Sequence, residues 1–250
     1  MQAAVCSFCG GSGWKIVERE GISGAERCEC ANEGRTQRLE QQANIPPLYQ
    51  NSSVDNFSLP QDNPTARSGL ATVVLAVKGY MREYPNSPKP GLLFIGHPGT
   101  GKTHLAVAAL RSLIARGFEG VFFDFQNLLD RIRSGYDQAS GTMDREAYKT
   151  ALETEVVLLD DLGAHRVTDW VEDTITSIVT YRCNNRKATI VTTNLRDPEV
   201  GDQRSSGLPD DIRSKFFLEE RIGPRARSRL FEMCKLIQMP DVQDYRLRRR

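Results

Sequence analysis

The sequence predicts an α/β protein in which helices cover a parallel sheet, preceded by a small cysteine-rich module. Four short apolar runs alternate with amphipathic stretches, at residues 92–96, 121–125, 156–161 and 188–194. Strands without polar interruption are typical of parallel sheets, because both faces of such a sheet are buried. A glycine-rich loop follows the first run, and four cysteines lie within the first 30 residues.

The composition is that of an ordinary globular chain. The 250 residues carry a net charge of +1, with 39% hydrophobic and 26% charged residues. Binding to nucleic acid would therefore depend on local patches rather than on overall charge. No stretch approaches 18 consecutive apolar residues, which argues against a membrane-spanning helix, and the N-terminus lacks the apolar segment of a signal peptide. We expect a cytoplasmic protein, in reducing surroundings.

The N-terminal cysteines are Cys6, Cys9, Cys28 and Cys30. Disulfides are rare in a reducing compartment, and a redox CxxC is expected near a βαβ pattern rather than among glycines. A CxxC and a CxC pair separated by 18 residues indicate a zinc ribbon-like module with one tetrahedral Zn²⁺, with residues 14–20 as a strand and 21–24 as a hairpin turn. So short a segment would draw its folding energy from the metal. The alternative is four reduced cysteines in a flexible tail.

Proline and asparagine separate this module from the rest of the chain. Residues 31–45 are polar and favour a helical connector, whereas residues 45–64 are irregular. A helical pattern then covers residues 65–84 and ends at a proline cluster. We expect two units, a zinc-binding module with its connector at residues 1–44 and an α/β domain at residues 45–250.

The first apolar run leads directly into GHPGTGKT, residues 96–103, and then into an apolar helical stretch. A G-x4-GK[ST] motif between a strand and a helix is a P-loop, whose amides and helix N-terminus bind phosphate. Lys102 should reach the β and γ phosphates, and the Thr103 hydroxyl should ligate Mg²⁺. The predicted nucleotide-binding residues here are Gly96, His97, Pro98, Gly99, Thr100, Gly101, Lys102, Thr103 and His104.

Polar residues follow two of the other apolar runs. Asp160 and Asp161 end the run VVLLDD, and we expect Asp160 to hold Mg²⁺ and Asp161 to orient or deprotonate the attacking water. Glutamate is more usual at the second position, so the shorter Asp161 predicts slow hydrolysis. Asn194 ends the next run and is a candidate to bind the water and the γ-phosphate. The alternatives are an acidic helix cap and a turn-forming asparagine.

The order of these motifs, with an Arg-rich C-terminus, resembles the AAA+ ATPases. Within them, roughly residues 45–246 resemble the DnaC/DnaI-type replicative helicase loaders and the related IstB transposition ATPases. The resemblance implies ATP hydrolysis with Mg²⁺, homo-oligomers in the ATP-bound state, and adenine held near Tyr49 and Phe57. In RIGPRARSRL it identifies Arg229 as the arginine finger and Arg225 as a second candidate, and it places Arg246 at the sensor 2 position.

A loader of this type implies single-stranded DNA and a replicative helicase as partners. Cationic and aromatic side chains together bind single strands, and the DNA-contacting positions of the family match Arg133, Tyr136, Thr168 and Trp170. Packing within the protein is the alternative for each aromatic residue. The DnaI-like branch carries a zinc module that docks on the helicase, although the module here is shorter than the helicase-binding domains of better-known loaders.

Three other functions stay open at this stage. A transposition helper ATPase acting with a transposase shares nearly every motif, but it normally lacks such a cysteine module. A small-molecule P-loop kinase would explain the phosphate loop, but not Asn194 or the Arg-rich end. A nucleotide-switched adaptor would bind ATP and scarcely hydrolyse it, which Asp161 in place of glutamate allows.

Overall fold

The computed structural model describes residues 6–10, 12, 14–19, 22–134, 143–164, 168–200 and 217–247. Its helices are α1 (Glu29–Gln42), α2 (Pro64–Glu83), α3 (Lys102–Ala115), α4 (Phe125–Ser134), α5 (Met143–Glu153), α6 (Asp169–Asn184) and α7 (Glu219–Met233). Its strands are β1 (Trp14–Arg19), β2 (Ile22–Arg27), β3 (Gly91–Ile95), β4 (Gly120–Asp124), β5 (Val156–Asp160), β6 (Ala188–Thr193) and β7 (Cys234–Gln238).

Five strands form one sheet in the order β4-β5-β6-β3-β7. All four neighbouring pairs are parallel, which confirms the predicted parallel sheet. Successive side chains of a strand face opposite sides, so Leu92 and Phe94 belong to one apolar cluster while Leu93 and Ile95 belong to another. The first cluster includes residues of α2 and α3, and the second includes residues of α4, α5, α6 and α7.

The four predicted apolar runs correspond to the strands β3 to β6, with bounds that differ by one residue at one end or at both ends. Phe125, for instance, begins α4 rather than ending β4. The sequence did not predict β7, in which only Cys234 and Ile237 are buried. An edge strand with three exposed residues has no continuous apolar run, so the pattern that marks the other strands is missing.

Helix α2 confirms the predicted helix at residues 65–84. The Asn63 side chain caps its N-terminus by accepting the backbone N–H of Ala66 at 3.0 Å, and Pro64 occupies the first turn. Both residue types are favoured at those positions. Leu70, Val77 and the neighbouring apolar residues of one face are buried against the sheet.

The N-terminal hairpin β1–β2 is antiparallel and pairs Arg19 with Ile22. The predicted turn at residues 21–24 is therefore wrong, since Ile22, Ser23 and Gly24 all belong to β2. The connector is helix α1, which packs on the larger domain: Arg111 forms an ion pair with Glu40 at 2.8 Å. The division after residue 44 stays a prediction.

Among the described residues, every helix is too short or too polar to cross a lipid bilayer.

Candidate nucleotide-binding and catalytic site

The P-loop connects β3 to α3 and requires glycine at two points. Gly101 has φ +94° and a Cβ there would lie 2.5 Å from the ring of Phe57. Gly99 has φ +72°, and a Cβ there would collide with the carboxylate of Asp244. Only glycine tolerates both the left-handed backbone and the lack of space. The loop is thus enclosed by Phe57 on one side and by the C-terminal segment on another.

Lys102 lies buried in this loop, with 6% of its surface exposed. Its ammonium group donates hydrogen bonds to the carbonyl oxygens of Gly96 and His97, both at 2.8 Å, and to Asn194 Oδ1 at 2.6 Å. Burial lowers the pKa of Lys102 to about 8, and the charges of Asp161 and Asp160 partly oppose this shift. A phosphate would add further negative charge beside this buried cation.

ATP affinity should therefore fall as the pH rises above 8. Phosphate contact favours the charged form of Lys102 and raises its pKa in the complex. Once the pH exceeds the pKa that Lys102 has in the free protein, ATP binding is therefore coupled to the uptake of a proton. Affinity should be constant from pH 7 to 7.5 and roughly 30-fold weaker at pH 9.5, at one decade per pH unit. Calorimetry in buffers of different ionisation enthalpy measures both effects, and unchanged affinity at pH 9.5 would contradict this role for Lys102.

The candidate magnesium site lies where β5 ends. Thr103 Oγ1 donates to Asp160 Oδ1 at 2.9 Å, and Thr192 Oγ1 donates to the same oxygen at 2.6 Å. Burial raises the pKa of Asp160, while the two hydroxyl groups lower it. A carboxylate and a hydroxyl offer the oxygen ligands that Mg²⁺ prefers, so the residues present fit the ion. No motif identifies Thr192, which sequence reasoning missed.

Asp161 and Asn194 form the other half of the site. Asn194 Nδ2 donates to Asp161 Oδ1 at 2.6 Å, so the Asn194 amide joins Asp161 to Lys102. Asp161 is exposed and has a left-handed backbone, with φ +58°. The structure thus brings the predicted water-binding acid, the predicted sensor and the P-loop lysine into one hydrogen-bonded chain.

The C-terminal segment, which carries the predicted sensor 2 residue Arg246, contacts the P-loop. The backbone N–H of Tyr245 donates to Gly99 O at 3.1 Å, and that of Arg246 donates to Asp244 Oδ1 at 2.9 Å. Besides burial, the positive charge of Arg246 contributes to the lowered pKa of Lys102. Arg246 thus adds a second positive charge to that of Lys102 at the phosphate-binding loop.

The other predicted loop residues surround the phosphate-binding turn. His97 and Pro98 are exposed, and the buried Thr100 donates to His97 O at 2.8 Å. His104 contacts Ser53 O through Nε2 at 2.9 Å, and its ring meets that of Phe57 edge-on at 5.5 Å. Phe57, which we expected to lie near adenine, therefore adjoins the start of α3.

The candidate arginine fingers lie on α7. Arg229 forms an ion pair with Glu232 at 2.7 Å, whereas Arg225 is exposed directly after Pro224. Within the described part of the chain, no hydrogen bond connects either arginine with the P-loop. Sequence reasoning missed Arg227, whose guanidinium bonds both oxygens of the buried Asp197, at 2.6 and 2.7 Å.

Two of the predicted DNA-contacting residues meet each other. The Arg133 guanidinium lies 4.6 Å from the centroid of the Trp170 ring. Thr168 caps α6, because its hydroxyl accepts the backbone N–H of Val171 at 3.3 Å. Tyr136 lies outside the described residues.

Three of the predicted zinc ligands converge at the base of the hairpin. The sulfur atoms of Cys6, Cys9 and Cys28 all lie within 4.8 Å of one another, with 3.8 Å between Cys6 and Cys28. Tetrahedral thiolates about 2.3 Å from zinc would be separated by about 3.8 Å, so this donor set fits the ion. Cys28 directly precedes the first turn of α1. The side chain of Cys30 lies outside the described residues.

Known proteins resemble the chain over this same region. The family model described as "IstB-like ATP binding protein" matches residues 34–202. The crystal structure of the DnaC helicase loader is 33% identical, covers 78% of this chain and 100% of its own, and superposes with a TM-score of 0.62.

Two curated relatives are more distant. YqaM of Bacillus subtilis is 24% identical over 240 residues, which is 92% of this chain and 66% of YqaM. The replicative helicase loader DnaC of Buchnera aphidicola (Acyrthosiphon pisum) is 26% identical over 161 residues, 64% of this chain and 63% of that loader. The matched regions thus span just under two thirds of the length of both relatives. Because the family model covers most of the chain and the DnaC helicase loader structure is 33% identical, the protein belongs to the IstB-like ATP-binding family and is a DnaC/IstB-type AAA+ ATPase.

Proposed function

We propose that this protein is a DnaC-like helicase loader that binds Mg²⁺–ATP and single-stranded DNA and delivers a replicative helicase in the cytoplasm. The observation that supports this best is the hydrogen-bonded chain of Lys102, Asn194 and Asp161 beside the Thr103–Asp160 pair. Such a centre can bind a nucleoside triphosphate and position a water at its terminal phosphate. The similarity to DnaC supports the loader part of the proposal.

In the proposed reaction, Lys102 and the loop amides bind the phosphates. Thr103 and Asp160 would hold Mg²⁺, which would supply charge neutralisation at the phosphates. Asp161 accepts a hydrogen bond from the attacking water, and Asn194 fixes the Asp161 carboxylate. A shorter acid at this position places the carboxylate farther from the phosphate than a glutamate would. We therefore propose slow hydrolysis that DNA or a partner stimulates.

The active form is proposed to be a homo-oligomer in which α7 of one subunit faces the nucleotide of the next. Arg229 or Arg225 would then stabilise charge at the neighbour's γ-phosphate, as an arginine finger does. Both side chains are compatible with this role because Arg225 is exposed and the Arg229–Glu232 pair lies at the surface.

Single-stranded DNA is proposed to bind near the ends of α4 and α6. The pairing of Arg133 with Trp170 presents a cation and an aromatic surface together, which is the combination that binds single strands without sequence preference. Tyr136 and Thr168 would add contacts from the adjoining segments. Because Thr168 also caps α6, its substitution would affect the helix as well as the DNA.

The N-terminal module is proposed to hold one Zn²⁺ through Cys6, Cys9, Cys28 and Cys30 and to contact the helicase. Its described residues expose Phe8 before the hairpin and Trp14 and Ile16 on β1, with 83%, 53% and 84% of their surfaces accessible. Apolar side chains on so small a module are available to a protein partner.

Capture of partners from the native host by the ATP-bound protein tests the loader role. We expect a replicative helicase with the wild-type chain, together with one Zn²⁺ per chain by elemental analysis. The variant Cys6→Ser/Cys28→Ser should lose zinc and helicase capture while it keeps ATP binding and single-stranded DNA binding. Capture of a transposase instead would favour a transposition helper, and helicase capture by the zinc-free variant would contradict the role of the module.

A further inference from the structure

Thr192 contacts both acidic residues of the candidate site. It lies near the end of β6, with 1% of its surface exposed. Its hydroxyl donates to Asp160 Oδ1 at 2.6 Å and accepts the backbone N–H of Asp161 at 2.9 Å. The same hydroxyl is therefore a hydrogen-bond donor to the Asp160 carboxylate and a hydrogen-bond acceptor for the Asp161 backbone.

The first of these bonds fixes the orientation of the Asp160 carboxylate. Thr192 and Thr103 both donate to Oδ1, and Oδ2 receives no hydrogen bond from the residues that the structure describes. The carboxylate is thus held in one rotamer with one oxygen left for the magnesium shell.

The second bond supports an unusual backbone conformation. Asp161 has φ +58°, a region that residues with a side chain rarely adopt. Its N–H is satisfied by Thr192, and its carboxylate is held by Asn194 at 2.6 Å. These bonds hold Asp161 exposed at the site while the adjacent Asp160 stays half-buried.

We propose that Thr192 is a positioning residue that aligns the magnesium-binding acid with the water-orienting acid. This inference rests on the proposed binding and hydrolysis of Mg²⁺–ATP. Groups that orient the ligands of a metal typically contribute 10–100-fold to metal affinity or activity. Thr192 acts through both aspartates, so its loss should affect both the magnesium requirement and the turnover.

The test is a magnesium titration of nucleotide binding with a non-hydrolysable ATP analogue, followed by steady-state hydrolysis of ATP. Thr192→Val should raise the Mg²⁺ concentration for half-saturation about tenfold or more and lower kcat about 10–100-fold. Affinity for the analogue without Mg²⁺ should change less than about threefold, since Lys102 and the loop stay intact. Thr192→Ser, which keeps the hydroxyl, should restore both properties to within about threefold of the wild type.

Thr189→Val is the matched control, because Thr189 is a fully buried threonine at the other end of β6. It should leave the Mg²⁺ half-saturation unchanged, even if the protein melts at a lower temperature. A wild-type Mg²⁺ half-saturation for Thr192→Val, or an equal defect in Thr192→Ser, would overturn the inference. If the wild-type chain binds the analogue but does not turn over ATP, the proposed hydrolysis fails, and the magnesium titration still decides the role of Thr192.

Discussion

Lys102→Ala should lower ATP affinity at least 100-fold and reduce hydrolysis below detection. The substitution removes the buried cation of the P-loop and its three hydrogen bonds, to Gly96, His97 and Asn194. Two or more charge-assisted bonds to phosphate at about 1.5–3 kcal/mol each correspond to a loss of more than two decades in affinity. Equilibrium binding of a fluorescent ATP analogue and a phosphate-release assay measure the two effects.

Lys89→Ala is the control, since Lys89 also donates to a backbone carbonyl, that of Phe231 at 2.6 Å, but precedes β3 and so lies at the opposite end of that strand from the loop. It should bind ATP as the wild type does. Nucleotide affinity of Lys102→Ala within about fivefold of the wild type would show that the loop binds phosphate without its lysine, contrary to the P-loop mechanism.

The same variant separates the proposed roles of the two subunits at one active site. Lys102→Ala keeps Arg225 and Arg229, whereas a double variant Arg225→Ala/Arg229→Ala keeps the P-loop. If the arginines act across an interface, a mixture of the two inactive proteins should recover part of the activity, because one subunit provides the arginine and the other the phosphate loop. Lack of recovery at every mixing ratio would indicate that α7 acts within its own chain.

The sheet could be predicted because its strands carry the signal of double-sided burial in the sequence itself. The strands VVLLD and ATIVTT are buried almost throughout. Because both of their faces are covered, no polar residue alternates with the apolar ones along most of their length. Two features were not predicted. Strand β7 lies at the edge of the sheet, and exposed residues interrupt its apolar ones. The position of the hairpin turn depends on a register that pairs Arg19 with Ile22. Neither feature has a counterpart in the local pattern of apolar residues.

The candidate site divides in the same way. Lys102, Thr103 and the acidic pair belong to motifs whose chemistry is readable from spacing, and the structure places them together. Thr192, Asp197 and Arg227 have no motif, because their contacts are created by the pairing of β5 with β6 and by the approach of α7. Such contacts are tertiary, so only a structure reveals which of many threonines and arginines make them.

Arg182 is a tertiary feature of this kind, with no signal in the sequence. It lies on α6 with none of its surface exposed, yet no carboxylate among the described residues pairs with it. Burial lowers the pKa of its guanidinium to about 9, which still leaves the group charged at pH 7. Its hydrogen bonds go to the Thr189 hydroxyl and to the backbone carbonyls of Ala151, Leu152, Thr154, Glu155 and Ala188.

This arrangement joins three elements through one side chain. Carbonyls at the C-terminal end of α5 have no partner within the helix, and a cation at that end is also favoured by the helix dipole. The bonds to Ala188 and Thr189 connect the same guanidinium to the start of β6. Arg182 thereby fixes α5 and α6 at the N-terminal ends of β5 and β6. The candidate site lies at the C-terminal ends of the same strands.

Arg182→Met should destabilise the protein by about 3–5 kcal/mol, since methionine fills a similar volume but leaves several buried carbonyls without donors. For a chain of this size, that corresponds to a fall in Tm of roughly 6–20 °C, measured by calorimetry or near-ultraviolet circular dichroism. The stability of Arg182→Lys should lie between that of Arg182→Met and that of the wild type, because an ammonium has fewer donors and cannot span the same carbonyls.

The exposed Arg186, four residues later, is the matched control, and Arg186→Met should change the free energy of unfolding by less than about 0.5 kcal/mol. Below its own Tm, Arg182→Met should bind ATP normally, because Arg182 bonds the far ends of these strands and not the loop. A loss of stability under about 1 kcal/mol would mean that water replaces the guanidinium at these carbonyls and that the packing of α5 does not depend on the charge.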